Sequence, residues 1–401
     1  MKKLFPKILI LLMTTFIGLA PAFSANVAPY YNFQLTEGVF VPSKGDWAFS
    51  VDLLNDIGLI VQPAPKHSVV GFFELKYRGP GLVKQEGERF TDRYLDYVFV
   101  MRHNWDFMEQ LKLKWQLDYI KENRRTGANE PWGSGLYDYT RFGGMVGAER
   151  AFDKFKIDGS IHYYSLVFPN YTDLMKEFQQ GATEAETETG KQNHNILQLR
   201  SGLVYGLNKV DAGVISQVYA SQRVVTGVVQ PDGSYYTQDL QKDTIFSLSG
   251  SRYQKISNRL SFSPSLGIKT RASNQNYLHF ATMGSTPTFH SGYYDYIDIS
   301  VNLPLFFGLS KKWEFVFEPE IVQRLYSSRK PRDENNNFVE GETQKNLLYL
   351  FSFVFNKKSS DVSTTSLFYI YQQQSSNVKF EKYLPYNYTG HFVGLRYSLK
   401  Y

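Results

Sequence analysis

The sequence predicts an all-β fold, a transmembrane antiparallel up-and-down β-barrel of about 14 strands, with 16 as the alternative. Three observations carry that prediction. Segments of about ten residues alternate apolar and polar along most of the chain, the period of a strand with two unlike faces. The connections between these segments alternate short and long. Phe, Tyr and Trp make up 16% of the residues although the mean hydropathy is only −0.35. Aromatic-rich but polar on average is the composition of half-apolar strands rather than of membrane helices.

The 401 residues contain no cysteine. That excludes disulfide frameworks, thiolate metal sites and thiol catalysis. The formal charge of +6 includes Lys2, Lys3 and Lys7 of the leader described next. What remains is too weak and too dispersed a basic field for a nucleic-acid partner.

Residues 1–24 read as a signal peptide. Met1–Lys7 is basic, Ile8–Ala20 carries no charge, and Ala20, Ala22 and Ser24 offer small residues for cleavage. The apolar run falls short of the roughly 20 residues that span a bilayer as a helix. Residues 25–68 stay open between an extra hairpin, a periplasmic piece and a plug. Trp47, Phe49, Val51 and Leu53 alternate well and Tyr31, Phe33 and Leu35 weakly, whereas Pro63 and Pro65 interrupt.

The barrel proper is expected over residues 69–401. Its first segments place Val69, Phe73, Leu75 and Tyr77 against Glu74 and Lys76, then Leu95, Tyr97, Phe99 and Met101 against Asp96 and Arg102. The clearest follows: Leu111, Leu113, Trp115, Leu117 and Tyr119 against Lys112, Lys114, Gln116 and Asp118. The pattern recurs at Phe155–Tyr163, Leu260–Ile268, Ile297–Leu305, Trp313–Glu318 and Leu347–Phe355. Long connections are read at Gly79–Arg89, Glu122–Asp138, Leu166–Asn193, Thr226–Gln241, Ala272–Gly292, Ser327–Lys345 and Gln373–Tyr388.

The chain closes on Val393-Gly394-Leu395-Arg396-Tyr397-Ser398-Leu399-Lys400-Tyr401, apolar at every second position back from a final aromatic. This resembles the terminal strand of Gram-negative outer-membrane barrels, a porin-like class. The resemblance implies that Leu395, Tyr397, Leu399 and Tyr401 form an assembly signal. It also implies a bacterial outer membrane as location, with its lipid bilayer and the barrel-assembly machinery as partners.

A barrel of this size is wide enough for a narrow aqueous channel. The polar faces supply candidate lumen residues: Lys112, Lys114, Arg141, Lys156, Arg200, Lys269 and Arg271 as bases, with Asp118, Glu314, Glu318 and Glu320 as acids. Opposed charge on different walls orients polar solutes. The longest loop carries Glu177, Glu184, Glu186 and Glu188. By count it is the third external loop, and its order and charge are similar to the constriction loop of porins; a plain solvated loop is the alternative.

No metal or cofactor is expected. Asp333–Asn337 has oxygen ligands at alternate positions but lacks the glycine of an EF-type loop. No hydrolase or phosphate-loop motif occurs. Ser160 and His162 share one face, which the register turns to the lumen as a polar pair. The expected function is therefore passive passage of small polar solutes, not catalysis. A surface receptor, adhesin or structural barrel working through its loops is the alternative, and a barrel enzyme acting on envelope lipid a more distant one. Solute identity and oligomeric state are not legible.

Overall fold

A computed structural model describes residues 26–80, 93–125, 131–171, 190–280, 285–382 and 385–401. The leader and the four loop glutamates at 177, 184, 186 and 188 lie outside the described residues.

Antiparallel strands follow one another around a closed wall. They are β1 (Asn26–Pro42), β2 (Ala48–Ala64), β3 (His67–Pro80), β4 (Arg93–Met108), β5 (Leu111–Arg125), β6 (Tyr139–Ala151), β7 (Phe155–Val167) and β8 (His194–Tyr205). The second half comprises β9 (Asn208–Val225), β10 (Tyr236–Arg252, continued by Gln254–Lys255), β11 (Leu260–Phe262 and Ser265–Ser273) and β12 (Tyr296–Asn302 and Leu305–Gly308). It ends with β13 (Trp313–Tyr326), β14 (Lys345–Lys358), β15 (Ser363–Ser376) and β16 (Tyr388–Lys400). Strands β1 and β16 pair from Asn32 opposite Lys400 to Pro42 opposite Gly390, which closes the barrel. Closure leaves no free edge and satisfies the backbone within the wall.

The barrel therefore has 16 strands, not 14. The open segment 25–68 supplies the difference, because β1 and β2 pair along their length and are part of the wall. Pro63 and Pro65 fit at the β2–β3 turn, where the ladder ends and needs no N–H. Adding one hairpin also renumbers the long connections. The loop between β7 and β8 becomes the fourth rather than the third, because 43–47 is the first.

Two strands are broken where the alternation reads as continuous. Proline has no N–H, so the ladder stops at Ser263–Pro264 and at Leu303–Pro304. Carbonyls still stitch the wall there: Arg252 N donates to Pro264 O at 3.1 Å, and Ser263 N donates to Pro304 O at 3.0 Å.

The two rows of side chains differ sharply. One row, including Ile57, Leu117, Phe142, Tyr163, Leu367 and Leu395, is exposed and apolar. Such a row is costly to leave in water and is of the kind that an apolar phase can cover. The other row is polar, concave and tied across strands. Only eight large apolar side chains are buried among the described residues, so the inside of the wall is not filled by an apolar core. At the seam, bulky inner rings lie along the wall rather than across it. Phe392 lies over Gly38 and Phe40 over Gly390, where a Cβ on either glycine would come within 2.6 Å of the ring.

The charged inner wall as candidate functional site

The site is the inner row of the wall, and the register decides its membership. Asp118 stands opposite Gly143, which stands opposite Tyr164. All three are on the inner row. With no side chain at Gly143, Asp118 on β5 reaches past β6 to His162 on β7, and His162 Nε2 donates to its Oδ1 at 2.8 Å. Arg141 Nη2 holds the other carboxylate oxygen at 3.0 Å and stacks on the Tyr164 ring at 3.9 Å. The partner of His162 is thus Asp118, not Ser160.

The pairing repeats around the barrel. Arg271 on β11 binds Asp243 on β10 at 2.9 Å. Arg324 on β13 clasps Asp298 on β12 through Nε at 2.7 Å and Nη2 at 2.9 Å. Such two-point contacts fix both orientation and position. Arg78 on β3 binds Asp52 on β2 at 3.3 Å. Beside it, Thr36, Ser50, Phe392 and Arg396 help line an inner recess of about 310 Å³.

Toward the short-turn end, Lys114 and Lys156 converge on Glu149, each at 2.7 Å, and Lys112 reaches Asp106 at 3.4 Å. Glu314 accepts from Asn356 at 3.1 Å and Glu318 from Asn302 at 2.9 Å, with Glu320 one inward position further along. Arg200 donates from Nε and Nη2 to the Gln198 side-chain oxygen, 2.9 Å each, once that amide is oriented to accept. Lys269 is exposed on the inner row between Ser247 and Asp298. All eleven lumen candidates therefore stand on the inner row.

Asp52, Asp56, Asp243 and Arg324 of this wall are not singled out by sequence. Asp52 and Asp56 fall in the segment left open. Asp243 and Arg324 gain meaning only from the strand that each faces. Asp56, Glu74, Asp96 and Glu122 form a second carboxylate group on β2–β5, distinct from the one on β13. Alternation within each strand was the available signal, but their grouping depends on register between strands.

The described loops pack on one another. A hairpin of Tyr277–His279 with Thr288–His290 stacks Tyr277 on Tyr293 at 4.4 Å and His290 against Phe338 at 4.4 Å. Arg332 donates to the Tyr277 hydroxyl at 3.1 Å, joining the β11–β12 and β13–β14 loops. Lys44 pairs with Glu381, tying the first loop to the last. Burial pushes the Glu381 carboxyl up, but the Lys44 ammonium and donors from Asn387 outweigh it and hold it at about 2. Asp333 accepts from Asn335 N and Asn337 N, with Asn336 at φ 70°, a plain Asx turn. No group of three or more metal-binding side chains occurs among the described residues.

The terminal residues seal the wall. Leu395, Tyr397 and Leu399 stand on the outer row, Tyr397 opposite Leu35 and Leu399 opposite Phe33. Tyr401 exchanges backbone hydrogen bonds with Tyr31 at 2.8 and 2.9 Å.

No protein-family model matches the chain, and no curated protein sequence matches it. Solved structures of similar shape include a bacterial polysaccharide outer membrane secretin, at 11% identity and TM-score 0.46 over 93% of this chain and 98% of the other. OmpT, an outer membrane protein of Vibrio cholerae, matches at 12% identity and TM-score 0.47 over 93% and 97%. OccAB1 of Acinetobacter baumannii matches at 10% identity and TM-score 0.47 over 93% and 96%. At this level the likeness is one of barrel shape and assigns no activity.

Proposed function

We propose that the protein is a pore of a bacterial outer membrane that passes small polar solutes without catalysis. The observation that carries this reading is the inner wall, which is charged and hydrogen-bonded where a packed barrel would be apolar. A wall of 16 strands is in the size range that leaves an aqueous channel. The exposed apolar outer row supports bilayer residence. The alternating outer residues of β16 support the assembly-signal reading of Leu395, Tyr397, Leu399 and Tyr401. Glu177, Glu184, Glu186 and Glu188 are proposed as loop carboxylates able to approach the mouth.

The test is single-channel recording of the refolded chain in a planar bilayer, with folding checked by its heat-dependent gel shift. Discrete current steps are expected. Silence from demonstrably folded barrel overturns the pore reading and leaves the packed loops as the working surface.

A further inference from the structure

The acids and bases of the inner wall are not presented equally. Around the long-loop end, four aspartate–arginine pairs share one arrangement. The aspartate is on one strand and the arginine on the next: Asp52 and Arg78, Asp118 and Arg141, Asp243 and Arg271, Asp298 and Arg324. Each arginine stands two residues inside the long-loop end of its strand. In every pair the carboxylate is the hidden partner. Side-chain exposures are 33% for Asp52 and 56% for Arg78, 2% and 23% for Asp118 and Arg141, 2% and 28% for Asp243 and Arg271, and 12% and 36% for Asp298 and Arg324.

A formally neutral pair arranged this way is not neutral to a solute. The nearer charge dominates at short range, because Coulomb energy falls with distance and water screens the charge behind it. Arginine also keeps donors in reserve. Of its five N–H donors, two meet Asp298 even in the two-point Arg324 contact. Arg200 and Lys269 add inner-row cations with no carboxylate at ion-pair distance among the described residues.

From this geometry we infer that the mouth selects small anions, carboxylates and other oxyanions above all, through guanidinium groups each more exposed than the aspartate it pairs with. The inference rests on the pore reading and names its solute class. The opposing inner-row charges include Asp56, Glu74, Asp96 and Glu122 on β2–β5 and Glu314, Glu318 and Glu320 on β13. Lys76 and Arg78 flank Asp96, and Glu122 is hydrogen-bonded to Tyr139. The β13 acids lie deeper, toward the short-turn end.

The experiment is the reversal potential of the full-length barrel under a KCl gradient. Chloride permeability exceeding that of potassium is expected. The decisive variant is D298N/R324Q, which removes one charge of each sign and leaves the total unchanged. Presentation of the cation predicts that the chloride preference falls toward one. R200Q and K269Q, which strand no buried carboxylate, should lower it too, and sodium citrate added on the long-loop side should reduce the chloride current. A potassium-preferring channel overturns the inference, as does D298N/R324Q with unchanged selectivity, while the pore reading survives both. Absence of current overturns the pore reading itself. If D298N/R324Q does not fold, R200Q and K269Q decide, and unchanged selectivity in both overturns the inference.

Discussion

Gly143 shows how much of the inner wall depends on one missing side chain. A Cβ there would lie 2.8 Å from Tyr164 Cβ, 2.9 Å from His162 Nε2 and 3.0 Å from Asp118 Oδ2. Gly143→Val should therefore push His162 off Asp118. The expected cost is about 1–3 kcal/mol, read as a lower urea midpoint for loss of the heat-modifiable form. H162A, which removes the partner but adds no bulk, should leave Arg141 on Asp118 and cost less. At this scale the sequence was only partly legible. Alternation put His162 and Ser160 on one face, and both are there. Alternation has no term linking His162 to a carboxylate 44 positions earlier, since that link requires the register of three strands.

Single elements tell a similar story. β5 was readable because its apolar and charged residues alternate without a break. β11 and β12 read as unbroken, because a proline leaves the apolar period intact while removing an N–H. β1 and β2 stay open in the sequence because Tyr31, Phe33 and Leu35 sit beside prolines and polar residues; their pairing with each other, and that of β1 with β16, supplies what local pattern lacks. The connection between β1 and β2 carries a testable charge. Glu381 is held at about 2 against an ordinary 4.5, so its tie to Lys44 contributes fully above pH 4.5 and is lost as pH falls toward 2. Asn387 N donates to Glu381 at 2.6 Å. Its amide should exchange faster with solvent through that window, after correction for intrinsic rates. E381Q should flatten the dependence, and an unchanged profile in E381Q would refute the assignment.

For the whole molecule, alternating loop lengths predicted a closed antiparallel barrel and missed its size by one hairpin. The inner row followed from the same pattern, strand by strand. What did not follow was the sidedness of each ion pair, because burial of Asp243 behind Arg271 is a property of neighbouring strands and of wall curvature. Removal of residues 393–401 is expected to abolish the heat-modifiable form, since it deletes most of the β16 residues that pair with β1. A truncated chain that still shifts on a gel would count against closure through this pair.

The β1–β16 pairing also has a consequence for the order of assembly. Its contacts include that of Arg396 with Thr36, 360 positions apart along the chain. Each doubling of a closed loop costs about 0.6 kcal/mol of chain entropy, so this closure is about 4 kcal/mol harder to initiate than a hairpin of a few residues. The hairpins are local and can zip early; the last ladder cannot. Until it forms, the intermediate is an open sheet with two sticky edges, β1 and β16, each able to template a neighbour. Folding yield in vitro should therefore fall steeply with protein concentration, by intermolecular edge pairing, well before the ladders within the sheet become limiting.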